Sequence, residues 1–172
     1  MAVDANDSVG LVDAARRGSR AAFSSLYARY ARTVHGILIS RVPRADVDDL
    51  VQDVFVRAME QIDTLRDSGA FGAWLAAIAR HRAVDHLRRS PRMTELPADL
   101  ASTRGASDET MLVLAHIRNL PDAYRETLTL RLIEGMTGPE IAAHTGLTEG
   151  SVRVNLHRGM KQLRERLERK PA

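Results

Sequence analysis

Between Ser151 and Lys161 the chain presents Ser151, Arg153, Val154, Asn155, His157, Arg158 and Lys161, a set of donors, acceptors and one small apolar surface suited to base edges and phosphates. Arginine pairs bidentately with guanine, asparagine can bond adenine or a phosphate, and an exposed valine can touch a thymine methyl. On an α-helix successive residues turn by about 100°, so Val154, Arg158 and Lys161 stand nearly opposite an apolar stripe. That stripe is Val152, Leu156, Met160, Leu163 and Leu167; Ser151 and His157 lie beside the basic face and Arg153 and Arg164 flank it. A helix of this kind fits the major groove of duplex DNA. A basic face taken alone would equally describe a solvated surface helix.

The residues that lead into the helix decide between these readings. Thr137 and Glu140 have capping-box spacing, and Pro139 fits only a first helical turn. A short helix follows, with Ile141 directed to a core and the small Ala142 permitting a close helix crossing. His144 is expected at its surface. Gly146 supplies a left-handed turn and Thr148 a cap for the second helix. Residues 137–167 therefore read as a helix-turn-helix, and duplex DNA is the expected ligand.

Charge is divided unevenly along the 172 residues. The net charge is only +3, yet residues 64–92 carry six basic and two acidic side chains and residues 148–172 carry seven and three. Two basic islands result, and the second is the recognition helix. A hydrophobic content of 44% argues against wholesale disorder, and the length suits one compact domain or two small ones. The absence of cysteine excludes disulfides and thiolate zinc sites. The longest apolar stretch, residues 70–79, is too short to span a bilayer, and the first ten residues are acidic and polar rather than leader-like. A cytoplasmic protein without direct membrane insertion is expected.

The periodicity is helical nearly throughout, giving an all-α fold. Amphipathic segments are expected at about 9–17, 19–40, 45–65 and from Phe71 through Arg89, with breaks at Val42-Pro43 and at residues 67–69. In the fourth segment Phe71, Trp74, Leu75 and Ile78 share a side, and Trp74 reads as core. Residues 90–108 hold Pro91, Pro97 and Gly105 with little periodicity and read as a flexible linker. Helices resume near Glu109. The expected organisation is two small helical domains, 1–89 and 109–172, joined by that linker.

Three stretches in this order resemble the extracytoplasmic-function (ECF) sigma factors of bacterial RNA polymerase. DVDDLVQDVFVRAM at 46–59 is similar to the family's segment that docks on the coiled coil of the polymerase β′ subunit. FGAWLAAIARHRAVDHLRR at 71–89 is similar to its segment that melts and holds the minus-ten element. Residues 120–159, which include the first helix of the helix-turn-helix and the start of the second, are similar to the region that reads the duplex minus-thirty-five element.

The resemblance implies a sigma factor without covalent chemistry or cofactor. Arg80, His81, Arg82, Arg88 and Arg89 would form the minus-ten surface, with His81 where the family often has asparagine. Asp46, Asp49, Leu50, Gln52, Asp53 and Phe55 would form the docking surface, with Leu50 and Phe55 expected to be exposed. The implied partners are core polymerase through the β′ coiled coil and the β flap, promoter DNA both duplex and single-stranded, and an anti-sigma protein.

Two other functions fit parts of the chain. Asp46, Asp48, Asp49 and Asp53 cluster densely enough to bind magnesium or serve as acid and base, although no pocket motif accompanies them. A stand-alone regulator would use the helix-turn-helix alone and the N-terminal half as a ligand-binding or dimerisation module. It requires a symmetric dimer on a palindromic site. The histidines show no metal-site spacing, and neither a phosphate-binding NTPase loop nor a nucleophile elbow is present.

Overall fold

The structure, a computed structural model, describes residues 5–89 and 108–168. The expected linker lies almost wholly outside the described residues. Among the described residues eight α-helices run in order: α1 Ala5–Arg16, α2 Arg20–Ile39, α3 Arg44–Gln61, α4 Phe71–Arg89, α5 Asp108–Arg118, α6 Asp122–Leu132, α7 Gly138–Thr145 and α8 Glu149–Glu168. No strand occurs among the described residues. The fold is all-α, as the periodicity predicts.

Helix α2 is the centre of the N-terminal unit because it is apolar on more than one side. Leu26, Val34, Ile37 and Leu38 are inaccessible to solvent, and α1, α3 and α4 surround them. Ser19 starts the helix by accepting the Ala22 N–H at 3.2 Å. Pro43 then opens α3 in an extended conformation (φ −56°, ψ 143°) that ends the previous helical run. Val47, Leu50, Val51, Val54, Phe55 and Ala58 turn inward at helical spacing.

The third segment is shorter than its periodicity suggests. It tightens into a 3₁₀ turn at Ile62–Thr64, where the Thr64 hydroxyl donates to the Gln61 carbonyl at 2.7 Å. Local side-chain bonding of this kind competes with the helical ladder. The turn buries both Ile62 and Leu65. Arg16 ties α1 to the same loop, donating to the carbonyls of Ile62 and Leu65 and to the Ser68 hydroxyl. Phe71 opens α4 fully buried, with Tyr30 at a ring separation of 5.2 Å and Trp74 at 5.7 Å. Trp74 is a half-buried core residue, as expected.

Helices α5 to α8 form a smaller unit around two clusters. One holds Leu130, Met136, Ile141, Ala142 and Val152, the other Ile117, Leu120, Leu128 and Leu163. So small a core supplies little stability by itself. It is extended by packing on the N-terminal unit, where α2 and α4 meet α6 and α7 and Leu114 of α5 joins the larger core.

Candidate nucleic-acid interface

The helix-turn-helix is built as its residues dictate. Thr137 accepts the Glu140 N–H at 3.3 Å and Glu140 accepts the Thr137 N–H at 2.7 Å, completing the capping box. The Thr137 N–H and, at 2.8 Å, the Thr137 hydroxyl donate to the Glu140 carboxylate and hold it below its ordinary range. Gly146 takes the left-handed conformation (φ 75°), and a Cβ there would lie 2.6 Å from that of Ala73. Both the turn and the approach of α4 therefore require glycine. Thr148 caps α8 by accepting the Ser151 N–H at 3.1 Å.

On α8 the outward face matches the expected one closely. Ser151, Arg153, Val154, His157, Arg158 and Lys161 are exposed, Val154 at 45%. Asn155 is half-buried and lines a cavity together with Arg41 and Arg80. The inward stripe differs from the expected one. Val152 and Leu163 are buried and Leu156 and Met160 partly so, but Leu167 is 44% exposed because the end of the helix runs past its core. Gly159 occupies the middle of the stripe, where a Cβ would stand 3.0 Å from Leu128 Cδ1 and 3.1 Å from Tyr124 Cβ. Its lack of a side chain lets α6 and α8 close, a role that an apolar periodicity does not register.

His144 is a correction. Instead of lying at the surface it is 6% exposed, with Nδ1 2.8 Å from the Thr33 hydroxyl and its ring 4.6 Å from that of Tyr30. The α7 positions Ile141, Ala142, His144 and Thr145 all turn inward, and α2 and α4 cover them. Burial pushes the imidazole down to about 4, against a partial upward pull from Glu140.

The α4 set divides into free and engaged residues. His81, Arg88 and Arg89 are exposed. Arg80 instead grips Glu126 of α6, Nε to Oε2 at 3.0 Å and Nη2 to Oε1 at 2.6 Å, and this bonding raises its pKa. Arg82 is only 13% exposed and forms an ion pair with Asp53 of α3.

The α3 set divides likewise. Asp49 and Gln52 face outward. Leu50 and Phe55 do not: they are 7% and 3% exposed, with Phe55 packed on Tyr27 at a ring separation of 4.5 Å and on Phe23 at 6.4 Å. Their expected exposure is therefore corrected, since helical spacing aligns them with Val47, Val51, Val54 and Ala58 rather than with the aspartates. Val56 and Met59, 49% and 54% exposed, are the apolar residues that α3 does present. Asp46 bonds His86 at 3.0 Å. Among the described residues no three His, Cys, Asp or Glu side chains converge on a common point, and no helix is long and apolar enough to cross a membrane.

Comparison with known proteins supports both halves. Residues 26–93 match Sigma-70 region 2 and residues 110–163 match Sigma-70, region 4. The ECF RNA polymerase sigma-E factor of Escherichia coli (strain K12) is 30% identical, over 89% of this chain and 90% of its own length. The ECF RNA polymerase sigma factor BldN of Streptomyces coelicolor is 31% identical over 89% of this chain, which spans only 63% of BldN. The structure of CnrH in complex with the cytosolic domain of CnrY superposes with a TM-score of 0.66 at 30% identity, covering 98% of this chain and all of that one. The region 2 match occupies the half that the stand-alone regulator would need as a ligand-binding or dimerisation module. Matched in both regions and in order, the chain belongs to the ECF sigma factors, which direct bacterial RNA polymerase to specific promoters.

Proposed function

We propose the following division of labour. Residues 1–89 dock on the β′ coiled coil through the outer face of α3, where Asp49, Gln52 and Val56 stand together. The same unit holds the opened minus-ten strand with His81, Arg88 and Arg89 of α4, joined by Arg80 once it is released. Residues 109–172 read duplex minus-thirty-five DNA with α8 and touch the β flap, while 90–108 link the units. The chain acts in the cytoplasm without cofactor and performs no covalent chemistry itself.

The observation that carries this reading is the α8 face, where six side chains suited to base and phosphate contacts stand exposed together on a capped helix anchored by Val152, Gly159 and Leu163. In the docking set, Leu50 and Phe55 act through the core by fixing α3, while Asp46 and Asp53 tie α3 to α4. An anti-sigma partner follows from family membership, and CnrH, similar along nearly all of this chain, is bound by the cytosolic domain of a second protein.

Arg158→Ala provides the test. Substitution should cost about 1–3 kcal/mol of promoter binding and relax discrimination at one base pair of the minus-thirty-five element. Competition binding across a library randomised in that element measures both. An equal loss on every sequence would make Arg158 a phosphate contact instead.

A further inference from the structure

Glu126 is a carboxylate of the C-terminal unit enclosed by cations, two of them from the N-terminal unit. It is 5% exposed, takes both prongs of Arg80 and lies 3.0 Å from Nη2 of Arg41. Arg118 reaches across in the opposite direction, donating to the carbonyls of Ile39 and Val42, and Arg125 pairs with Asp122. Three guanidinium groups thus pair with two carboxylates, Arg41 and Arg80 with Glu126 and Arg125 with Asp122, while Arg118 bonds backbone carbonyls alone, and Nε of Arg125 is buried without a hydrogen-bond partner. The site is rich in positive charge, and Glu126 is the one carboxylate that both arginines of the N-terminal unit share. Beside it a cavity of about 270 Å³ is lined by Arg41, Arg80, Glu126, Thr145 and Asn155.

A planar guanidinium holds a carboxylate and a phosphate with the same two-pronged geometry. Given the reading of Arg80 as a minus-ten contact, on which this inference rests, the geometry points to Glu126 as an internal competitor for DNA phosphate. In the closed chain its carboxylate occupies the fork of Arg80, and loading of the opened strand and closure of the two units exclude each other.

The dimensions agree. Elements centred near minus ten and minus thirty-five lie about 25 base pairs apart, or about 85 Å of duplex. A compact chain of this length is only about 40 Å across. The closed form cannot span both elements, so the contacts between α2 and α6–α7 must part before two-element binding. Release of Glu126 removes one of the polar contacts that hold the units closed and at the same time frees a DNA-binding cation.

Because the chain has no cysteine, single cysteines replacing the exposed Ser24 and Glu165 can carry a spectroscopic distance pair in the full-length protein. The probe ligand is a single-stranded oligo-dT, since phosphate contacts are independent of sequence. Glu126→Gln is expected to lengthen the distance, tighten oligo-dT binding by about tenfold and steepen its salt dependence by about 0.7 in log–log slope. Adding Arg80→Ala should remove the gain in binding but keep the longer distance. Arg41→Gln, which weakens the same cluster from the other unit, should act in the same direction and guards against a folding defect in the first variant; circular dichroism checks both. An unchanged distance in both variants overturns the competitor role and leaves the reading of Arg80 untouched. A longer distance whose gain in binding survives Arg80→Ala removes Arg80 from the minus-ten surface, and the competition falls with it.

Discussion

Reversing the charge at Asp49 (Asp49→Arg) is expected to weaken binding to core RNA polymerase by about tenfold or more, because like charge brought against a complementary surface costs several kcal/mol. The stability of the free chain should hardly change. Asp49 is exposed and stands outside the ion pairs that join α3 to α4, so its carboxylate is available to a partner. Asp53 supplies the contrast. Its carboxylate neutralises Arg82, which is 13% exposed and has two further nitrogens, Nε and Nη1, without hydrogen-bond partners. Asp53→Arg should therefore destabilise the fold by about 1–3 kcal/mol after allowance for solvent screening of the half-exposed carboxylate. Competition for core polymerase and denaturant unfolding of the free chain separate the two effects. An Asp49→Arg protein that competes as well as the parent would remove the outer face of α3 from the docking surface.

Acidification should loosen the contact between the two units through His144. Burial holds its imidazole neutral, with a pKa lowered from 6.5 to about 4, while Glu140 pulls it up and Arg29 and Arg32 push it down. The folded chain thus binds fewer protons than the unfolded chain between these values. The stabilisation is complete above the unfolded value, near pH 6.5, and is lost progressively as the pH falls toward 4. Between pH 7.5 and 5.0 the loss from this group amounts to about 2 kcal/mol. His144→Phe keeps a ring against Tyr30 but cannot titrate. Urea unfolding of both proteins at the two pH values gives the comparison, and the variant should lose about 2 kcal/mol less than the parent. Equal losses would mean that His144 does not couple closure to protons.

What could be read from the residues alone was whatever local chemistry settles. The capping box at Thr137 and Glu140, the turn at Gly146, the cap at Thr148 and the outward face of α8 depend on neighbours within a few positions, and all take the expected form. Residues whose role is decided across the chain did not. His144 meets Thr33 across 111 positions and Arg80 meets Glu126 across 46, distances over which periodicity carries no information. Leu50 and Phe55 are within reach of the helical spacing, since the apolar positions 47, 51, 54 and 58 mark the inner face, and the aspartates beside them are what suggests exposure at those two positions. Leu167 continues the apolar period of α8 beyond the point where there is a core to receive it. Composition distinguished two basic islands but not that one arginine of the first is already bound by an acidic residue of the other unit.

The proposed closure would also give the two proposed DNA-binding surfaces an order. The α8 face is open in the free chain, whereas Arg80 is held by Glu126 and Arg82 by Asp53. Under the proposed roles, duplex recognition would use side chains already exposed on α8, and separation of the units would release Arg80 but not Arg82, whose partner Asp53 lies in the same unit. The free chain should show weak affinity for single strands despite its basic α4.

Core RNA polymerase purified free of other sigma subunits, mixed with this chain on a genomic promoter library, should initiate at a discrete set of promoters. Each should carry two unlike elements protected on one copy of the chain. Transcription no more specific than that of core polymerase alone, or protection of palindromic sites by a dimer of the chain without polymerase, would contradict it.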